Sequence, residues 1–510
     1  MGNLTSSLGI GLSGLVASQE AMSVIGHNIA NVHTSGYSQQ QAMLSTSSST
    51  TYGGLIFGSG VTVTSIQALR DQFLNLQVTQ SLSKQASAQT TYNGIQGVSS
   101  AFSDDGTTGL NTQISAFFSS LTTLAGNPTS AALNENVVGA AQTMIQELQT
   151  SYQTVNGQIS TANSQVGSLV PQINTLTSQI AALNTQISQQ INPAGDNDAI
   201  DQRQALTDQL ASLVGIQVST DTHNNYQITL DSGAATLVSG STAYQMTTSS
   251  GGNGKLSVGV QAGTVSTDVT DKISGGALGA DMNLRDNLLP AYQNQLDQIA
   301  GSLANQVNKL NMAGYGTDAS GASVTGTPFF TGAGIDSSNP PDANFGQVNL
   351  ANNTLPASAS NPPNYKGIIN SLEVNPLVVA TPTLIASASA AGLAGDNSNA
   401  LKMSNLQTGL NTVDTNGDGT GDSGPFSTAV SGLVNQVSTD IQKYDTLATN
   451  QQNLTSALQT QQSSVSGVDL DSQAAELLQF QQAYQASAQF ISTISQLTQT
   501  LMSTVAAATS

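Results

Sequence analysis

Apolar residues at both ends of the chain recur at alternating steps of three and four. Near the start, Leu4, Leu8, Gly11, Leu15, Ser18, Met22, Ile25, Ile29 and Val32 follow this spacing, which lines one face of an α-helix. It predicts a helix of about thirty residues, with Gly11 and Ser18 as small gaps in the stripe. Thr34-Ser35-Gly36-Tyr37 ends it, and Gly36 suits the left-handed position after a helix C-terminus. At the other end Leu477, Phe480, Tyr484, Ser487, Ile491, Ile494, Thr498 and Leu501 step in the same way. A preceding segment carries Val437, Tyr444, Leu447, Leu454, Leu458 and Val465 in similar register, and Ser466-Gly467 with Asp469 then reads as a hinge and N-cap. One such stripe cannot bury itself. Two, at opposite ends, are expected to bury each other.

A third heptad stretch is the longest. Val166, Leu169, Ile173, Leu176, Ile180, Leu183 and Ile187 form an unbroken seam, continued backwards less strictly through Val155, Leu148, Met144 and Val137. Helical from Thr129 to Ile191, it would extend about 90 Å. Pro171 lies off the seam and is expected to kink the helix, and Asn192-Pro193-Ala194-Gly195 stops it. From about residue 214 the period changes to two: Ile216-Gln217-Val218, Tyr226 to Leu230, Thr236-Leu237-Val238 and Leu256 to Val260 alternate between turn clusters, as short antiparallel strands do. Helical spacing returns at Leu284, Leu288, Leu289, Tyr292, Leu296, Ile299, Leu303 and Val307, and residues 314–380 are rich in Gly, Pro, Asn and Ser.

The expected fold class is multidomain α+β: a helical coiled-coil rod formed by both chain ends plus a long central helix, with inserted β-rich outer domains. The expected segments are an N-terminal helix with its motif (1–65), a helical rod region (66–213), an inserted β-rich domain (214–280), a rod helix (281–313), a second β- and loop-rich insert (314–395), C-terminal rod helices (396–466) and a final coiled-coil helix (467–510).

Composition narrows the function. Of 510 residues only 8% are charged, against roughly 25% in ordinary globular proteins, so little like-charge repulsion opposes packing against copies of the same chain. Ten Lys plus Arg against thirty Asp plus Glu give a net charge of −20, which excludes the basic footprint a nucleic-acid binder needs and disfavours anionic membrane surfaces. The ends are nearly neutral: apart from histidines, Glu20 is the one charged side chain before Arg70, and only Asp469, Asp471 and Glu476 follow Asp445. The absence of cysteine removes disulfides, thiolate metal sites and a Cys nucleophile. No cleavable signal pattern opens the chain, and no apolar run approaches the length of a membrane span, so membrane insertion is not expected.

Catalytic and ligand motifs are weak. Gly9-Ile10-Gly11-Leu12-Ser13-Gly14 is a literal GxGxxG, but too little chain precedes it for the strand a dinucleotide site requires; small residues for close helix packing explain it better. Asp414 to Asp422 opens like a calcium loop, yet Pro425 stands where the bidentate Glu belongs, and a solvated acidic turn is the simpler reading. His27 and His33 are spaced wrongly for a shared helix face, and Asp104-Asp105 beside Gly106 reads as a turn rather than a glycosidase pair. No catalytic residue, metal site or cofactor is expected, and the chain is not expected to be an enzyme.

The informative motifs are terminal. Gly14-Leu15, Ala17, Gln19, Ala21-Met22, Gly26-His27-Asn28-Ile29-Ala30-Asn31 and Thr34-Ser35-Gly36-Tyr37-Ser38 resemble the N-terminal signature of the flagellar rod, hook and hook-associated proteins. Val468-Asp469-Leu470-Asp471 and Leu477 to Ala488, with Gln482, Ala483, Tyr484 and Ala486, resemble the matching C-terminal signature. The family's usual Pro before Gly-Tyr and Arg soon after are Ser35 and Gln39 here. The long heptad region, together with Gly275-Gly276-Ala277-Leu278, Arg285, Pro290, Val307-Asn308 and Phe329-Phe330, is most similar to family members at the hook–filament junction.

This resemblance implies a structural subunit exported unfolded through the flagellar type III apparatus and placed in the extracellular flagellum, between hook and filament. The implied partners are further copies of the chain, the hook protein, a second hook–filament junction protein and an export chaperone at the C-terminal helix. The implied assembly residues are Leu8, Leu15, Met22, Ile25, Ile29, Leu477, Phe480, Tyr484, Ile491, Ile494 and Leu501. The alternatives are another axial protein, such as the hook subunit, or an exported cell-wall hydrolase.

Overall fold

A computed structural model of the chain describes residues 2–52, 55–104, 106–190, 196–251, 254–332, 365–409, 411–413 and 422–509. The fold is multidomain α+β: long helices at both chain ends, a long central helix and small antiparallel sheets inserted between them. Helix α1 (Gly2–Asn31) is followed by strands β1 (Gln40–Thr46), β2 (Thr50–Tyr52), β3 (Leu55–Phe57) and β4 (Val61–Ala68). Helices α2 (Gln72–Gln96), α3 (Leu110–Gly126), α4 (Ala131–Ser188) and α5 (Asn197–Leu213) come next. Strands β5 (Ile216–Thr220), β6 (Tyr226–Leu230), β7 (Thr236–Ser239), β8 (Thr242–Ala243), β9 (Gln245–Ser250), β10 (Leu256–Ala262) and β11 (Val265–Asp268) form two antiparallel sheets, β5-β6-β7-β8 and β11-β10-β9.

Helix α6 (Gly276–Asn283) continues through a π-helical turn at Leu284–Leu288 into α7 (Leu289–Ala313). Short pieces follow: β12 (Tyr315–Thr317), β13 (Ser323–Thr325), β14 (Phe330–Thr331), β15 (Glu373–Val374), α8 (Pro376–Ala380), α9 (Ser398–Ser404), β16 (Asn411–Val413) and β17 (Asp422–Gly424). The chain closes with α10 (Phe426–Ser466) and α11 (Leu470–Thr509). Contacts group these elements into two compact units, each drawn from separate stretches of chain: 1–87, 167–279 and 449–510 in the first, 88–166 and 280–448 in the second. The sequence segments, by contrast, followed chain order.

In the first unit the central heptad seam is buried at Ile173, Ile180, Leu183 and Ile187, where Leu183 and Ile187 cluster with Ala199 and Ile200 of α5. Two asparagines on the same helix reach the sheets. Asn174 bonds both ways to the backbone of Met246 (Nδ2 to O 2.8 Å, N–H to Oδ1 2.7 Å), and Asn184 donates to the carbonyls of Tyr226 and Gly240. Amides on a helix thus satisfy strand-edge groups that burial would otherwise leave unpaired. Pro171 lies inside α4, exposed, with helix on both sides of it. The Asn192–Gly195 stop lies outside the described residues.

The second unit holds the larger core. Phe117 and Phe118 of α3, Phe329, Phe330 and Phe426 are all fully buried and contact one another at ring separations of 4.7–6.2 Å. The backward extension of the heptad seam, Val137, Met144, Leu148 and Val155, is buried in the same core. Residues 365–404, of which 365–395 were expected in a β- and loop-rich insert, make turns, short helices and the strand β15, packed into this core through Tyr365, Ile368, Ile369 and Val378. Asp297 of α7 holds that segment, accepting the backbone N–H of Gly367 at 2.7 Å.

Two expectations need correction. The segment 1–65 contains a β-hairpin besides its helix: β1 pairs with β4, with a register shift at Met43/Leu44. The stripe on α10 is also rotated in its last third. Leu447, Leu454 and Val465 are exposed, while Thr455 is buried and its Oγ1 lies 2.9 Å from Ser81 Oγ on α2. Hydroxyls and amides, not leucines, make that contact, as Gln462 donating to Asn75 Oδ1 at 2.7 Å also shows.

Where α2 meets α5, Asp208 is enclosed, and burial pushes its carboxyl up to about 6 despite bonds from Thr79 and Gln204. A carboxyl raised above its unfolded value opposes folding once ionised, so this group's contribution is most favourable below about pH 4 and is lost as pH rises through 6. Asp208→Asn keeps the Oδ1 acceptor and should therefore stabilise the chain by about 1–2 kcal/mol at pH 7. The gain should shrink toward zero near pH 4 in denaturant titrations. An unchanged gain at both pH values would contradict it.

Candidate assembly interface

The terminal helices pair antiparallel. An added Cβ at Gly11 would lie 2.8 Å from Ile491 Cγ1, and one at Gly14 would lie 3.0 Å from Ser487 Oγ. Farther along α1, Asn28 bonds Gln473 at 2.8 Å, so fourteen residues forward from Gly14 match fourteen back from Ser487. Residues without bulk let two helix backbones approach this closely. Helix α11 thus meets α1 at Gly11, Gly14 and Asn28, and the buried positions along α1 are Gly11, Ala17, Ser18, Ala21, Val24, Ile25 and Asn28.

This is not the face that the large side chains mark. Of the α1 assembly residues named from sequence, Ile25 is buried, Leu15, Met22 and Ile29 are half-buried and Leu8 is exposed. On α11, Ile494 is buried, Leu477, Phe480, Tyr484 and Ile491 are half-buried and Leu501 is exposed. Large apolar side chains remain in solvent on both helices: Leu8, Ile10, Leu12 and Val16 on α1, and Leu478, Phe490, Leu497, Leu501, Met502 and Val505 on α11. Near the chain ends Leu4, Leu8, Leu501, Met502 and Val505 line an apolar cleft of about 390 Å³. Exposed apolar surface of this kind marks an interaction face. The segment Leu4–Asn31 is also long and apolar enough to match a membrane span, which corrects the expectation from sequence; its small-residue face is taken up by α11.

A polar cluster fixes the base of the pair. Asn28 Oδ1 accepts the Gln40 N–H (2.9 Å) and the Tyr37 hydroxyl (2.8 Å), while Nδ2 donates to the Gln40 carbonyl and to Gln473 Oε1. Gly36 takes φ +80°, the left-handed turn anticipated for it. Asn31 braces that turn, accepting from Thr34 Oγ1 at 3.1 Å. Beside it Asp201 of α5 accepts from Ser38 N–H and Oγ (2.7 and 2.8 Å) and from Arg70 Nε at 2.8 Å. Arg70 also reaches Asn197, whose Nδ2 donates to the Ile66 carbonyl of β4. His27 Nε2 lies 3.4 Å from Asp198. Burial, then the carboxylates of Asp198 and Asp201, push the Tyr37 hydroxyl up to about 12, so it stays a donor at all ordinary pH. Backbone links complete the joint: Gln39 N–H donates to Ser466 O at 2.7 Å, and Asp469 caps α11 by accepting from Asp471 N–H and Ser472 Oγ.

Sequence reading found Asn28, Asn31, Gly36 and Tyr37 but not Arg70, Asn197, Asp201 or Gln473. The available signal was the isolation of Arg70, the first base of the chain, which calls for a carboxylate partner. The remaining motif residues Ala30, Gln482, Ala483 and Ala486 are exposed. The glycines of the literal GxGxxG lie within α1, and the calcium-like loop from Asp414 lies, up to residue 421, outside the described residues. Of the acidic pair, Asp104 binds Thr112 N–H and Oγ1 at the start of α3, and residue 105 lies outside them too.

Comparison with known proteins accords with this geometry. Residues 95–330 match the model of the Flagellar hook-associated protein FlgK helical domain. Residues 8–37 match that of the flagella basal body rod protein, and 459–504 that of the flagellar basal body rod FlgEFG protein C-terminal region. Flagellar hook-associated protein 1 of Escherichia coli is 27% identical, over 96% of this chain and 98% of its own, and that of Salmonella typhimurium is 28% identical over 98% and 100%. The chain is a relative of flagellar hook-associated protein 1. The Bacillus subtilis protein of that name is 24% identical over 94% of each chain. The structure of the flagellar hook junction protein FlgK from Burkholderia pseudomallei matches with a TM-score of 0.61 at 18% identity, over 76% of this chain and all of that one, a likeness of fold. The two rod-family matches fall on α1 and on the end of α10 with α11, the elements that pair here. The curated proteins that this chain resembles over nearly its whole length are thus flagellar hook-associated proteins.

Proposed function

We propose that the chain is the structural subunit joining hook and filament in the extracellular bacterial flagellum. It travels unfolded through the flagellar type III apparatus, assembles at the distal end of the hook, and there meets the hook protein, further copies of itself and a second junction protein. The observation that supports this reading is the state of α1 and α11. They pair through small residues while Leu12, Val16, Phe490 and Leu497 stay in solvent, so each copy offers an unfilled apolar face at the segments that match rod-family models. Burial of such faces by neighbours releases water and drives association, and the charge-poor ends put little repulsion against it.

Before export the same face needs cover, which a chaperone on α11 would provide. A second consequence concerns sequence economy: export as an unfolded chain suits a protein without cysteines, since no disulfide need form on the way. The test is a strain lacking this chain. Hooks should form while flagellin escapes as monomer into the medium, and labelled chain restored to the strain should sit at the hook–filament boundary by electron microscopy. Label distributed along the hook would assign the chain to the hook itself and overturn this reading.

A further inference from the structure

The apolar seam of α11 repeats every seven residues, so packing alone does not fix where it stops along α1. Phe480, Ser487 and Ile494 are one heptad apart, as are Tyr484, Ile491 and Thr498. A slip by one heptad would set Gly14 against Ile494 and Gly11 against Thr498, and glycines tolerate either. The Gln39–Ser466 backbone bond just before α11 limits how far that helix can slide, and a contact within the pair must set the register.

We infer that the buried amide pair Asn28–Gln473 is the specificity determinant that sets the register of the terminal helices. Both side chains are essentially out of solvent, Asn28 at 1% exposure and Gln473 at 0%. The Asn28 amide cannot turn over, because its Oδ1 accepts a backbone N–H from Gln40 and its Nδ2 donates to the Gln40 carbonyl. Its second N–H therefore points at one place on α11, where Gln473 Oε1 receives it at 2.8 Å. After a heptad slip Phe480 would stand there, and the N–H would be buried without an acceptor, which is strongly unfavourable. A buried asparagine among apolar positions selects one alignment of paired helices in the same way. Asn28 is itself held by the turn, so the determinant transmits the position of Tyr37 and Gln40 to α11. This deepens the reading of α1 and α11 as assembly helices, since a slipped helix would present Phe490 and Leu497 to neighbours one heptad out of place.

The chain has no cysteine of its own, so introduced pairs report register directly. Gly14→Cys with Ser487→Cys reads the observed alignment; Gly14→Cys with Ile494→Cys reads the slipped one. Each pair would be oxidised in the free full-length chain and in isolated flagellar particles. With Gln473 present only the first pair should cross-link. With Gln473→Leu, and equally with the isosteric Gln473→Met, the slipped cross-link should rise at least about tenfold, the factor that loss of a buried hydrogen bond supports. Two variants guard against one failing to fold. Slipped cross-links no more frequent in Gln473→Leu and Gln473→Met than in the native chain would overturn the inference. If the chain were missing from particles the junction reading would fail, and the free-chain cross-links would still decide the register.

Discussion

Replacing Gly276 by alanine should destabilise the first unit by more than about 3 kcal/mol. Gly276 sits at φ +67° just where α6 begins. A Cβ there would fall on the backbone of Leu213 and Val214, atoms that cannot rotate away as a side-chain tip could. The left-handed backbone alone costs about 1 kcal/mol for a residue with a Cβ, and relieving the clash means separating the α5 end from the α6 start. Next to it, Gly275 and Gly215 face each other so closely that a Cβ on either would lie 2.8 Å from the other's Cα. Gly263 provides the control: it has φ +64° but nothing within 4 Å of its added Cβ, so Gly263→Ala should show the conformational cost alone, about 1 kcal/mol. Urea unfolding of both variants against the native chain separates the two contributions. Similar losses at the two positions would mean that the packing at Gly276 relaxes freely, contrary to this account.

How much of this was legible in the sequence depends on what kind of signal each feature leaves. The terminal helices and the long central one were legible because large apolar residues repeat at helical spacing, and α1, α4 and α11 fall where that spacing placed them. The face on which α1 and α11 meet was legible only in part, because Gly11, Gly14, Ala17 and Ser18 give almost no hydrophobic signal; the glycines read as sites of close helix packing, and Gly11 and Gly14 are where α11 comes near. Strands with alternating patterns, such as Tyr226 to Leu230, were clear, whereas β1, with the sequence Gln40-Gln41-Ala42-Met43-Leu44-Ser45-Thr46, is largely solvent-facing and left no alternation to read. Its partner β4 does alternate, at Val61-Thr62-Val63-Thr64. Only the fold shows that Phe329, Phe330 and residues of 365–404 pack into the same core. The Arg70–Asp201 link joins positions 131 residues apart, a distance across which no local pattern speaks. Family wording supplied the functional expectation that periodicity could not.

Removing residues 470–510 should abolish incorporation into the flagellum and chaperone binding while the second unit still folds. The deletion takes away α11, and with it the side chains that meet Gly11 and Gly14 and the acceptor for Asn28. Helix α1, 30 residues long, would then keep only its contacts to the hairpin and expose an apolar face in water, and such helices hold together mainly through tertiary packing. The loss of helical signal should accordingly exceed the 40 residues of α11 and approach those plus the 30 of α1. The core built on Phe117, Phe118, Phe329, Phe330 and Phe426 draws nothing from 470–510, so its melting transition should stay where it is in the native chain. Three readouts bear on this: hydrogen exchange along α1, the thermal transition of the second unit, and filament formation by cells carrying only the truncated chain. Ordinary filaments from the truncated chain would refute assembly through the terminal pair, and an α1 still protected from exchange would show that the β1–β4 hairpin, whose Val61 N–H donates to Ser13 Oγ at 3.2 Å, holds that helix without α11. The first outcome removes the functional reading; the second moves the driving force for ordering α1 from the helix pair to the hairpin.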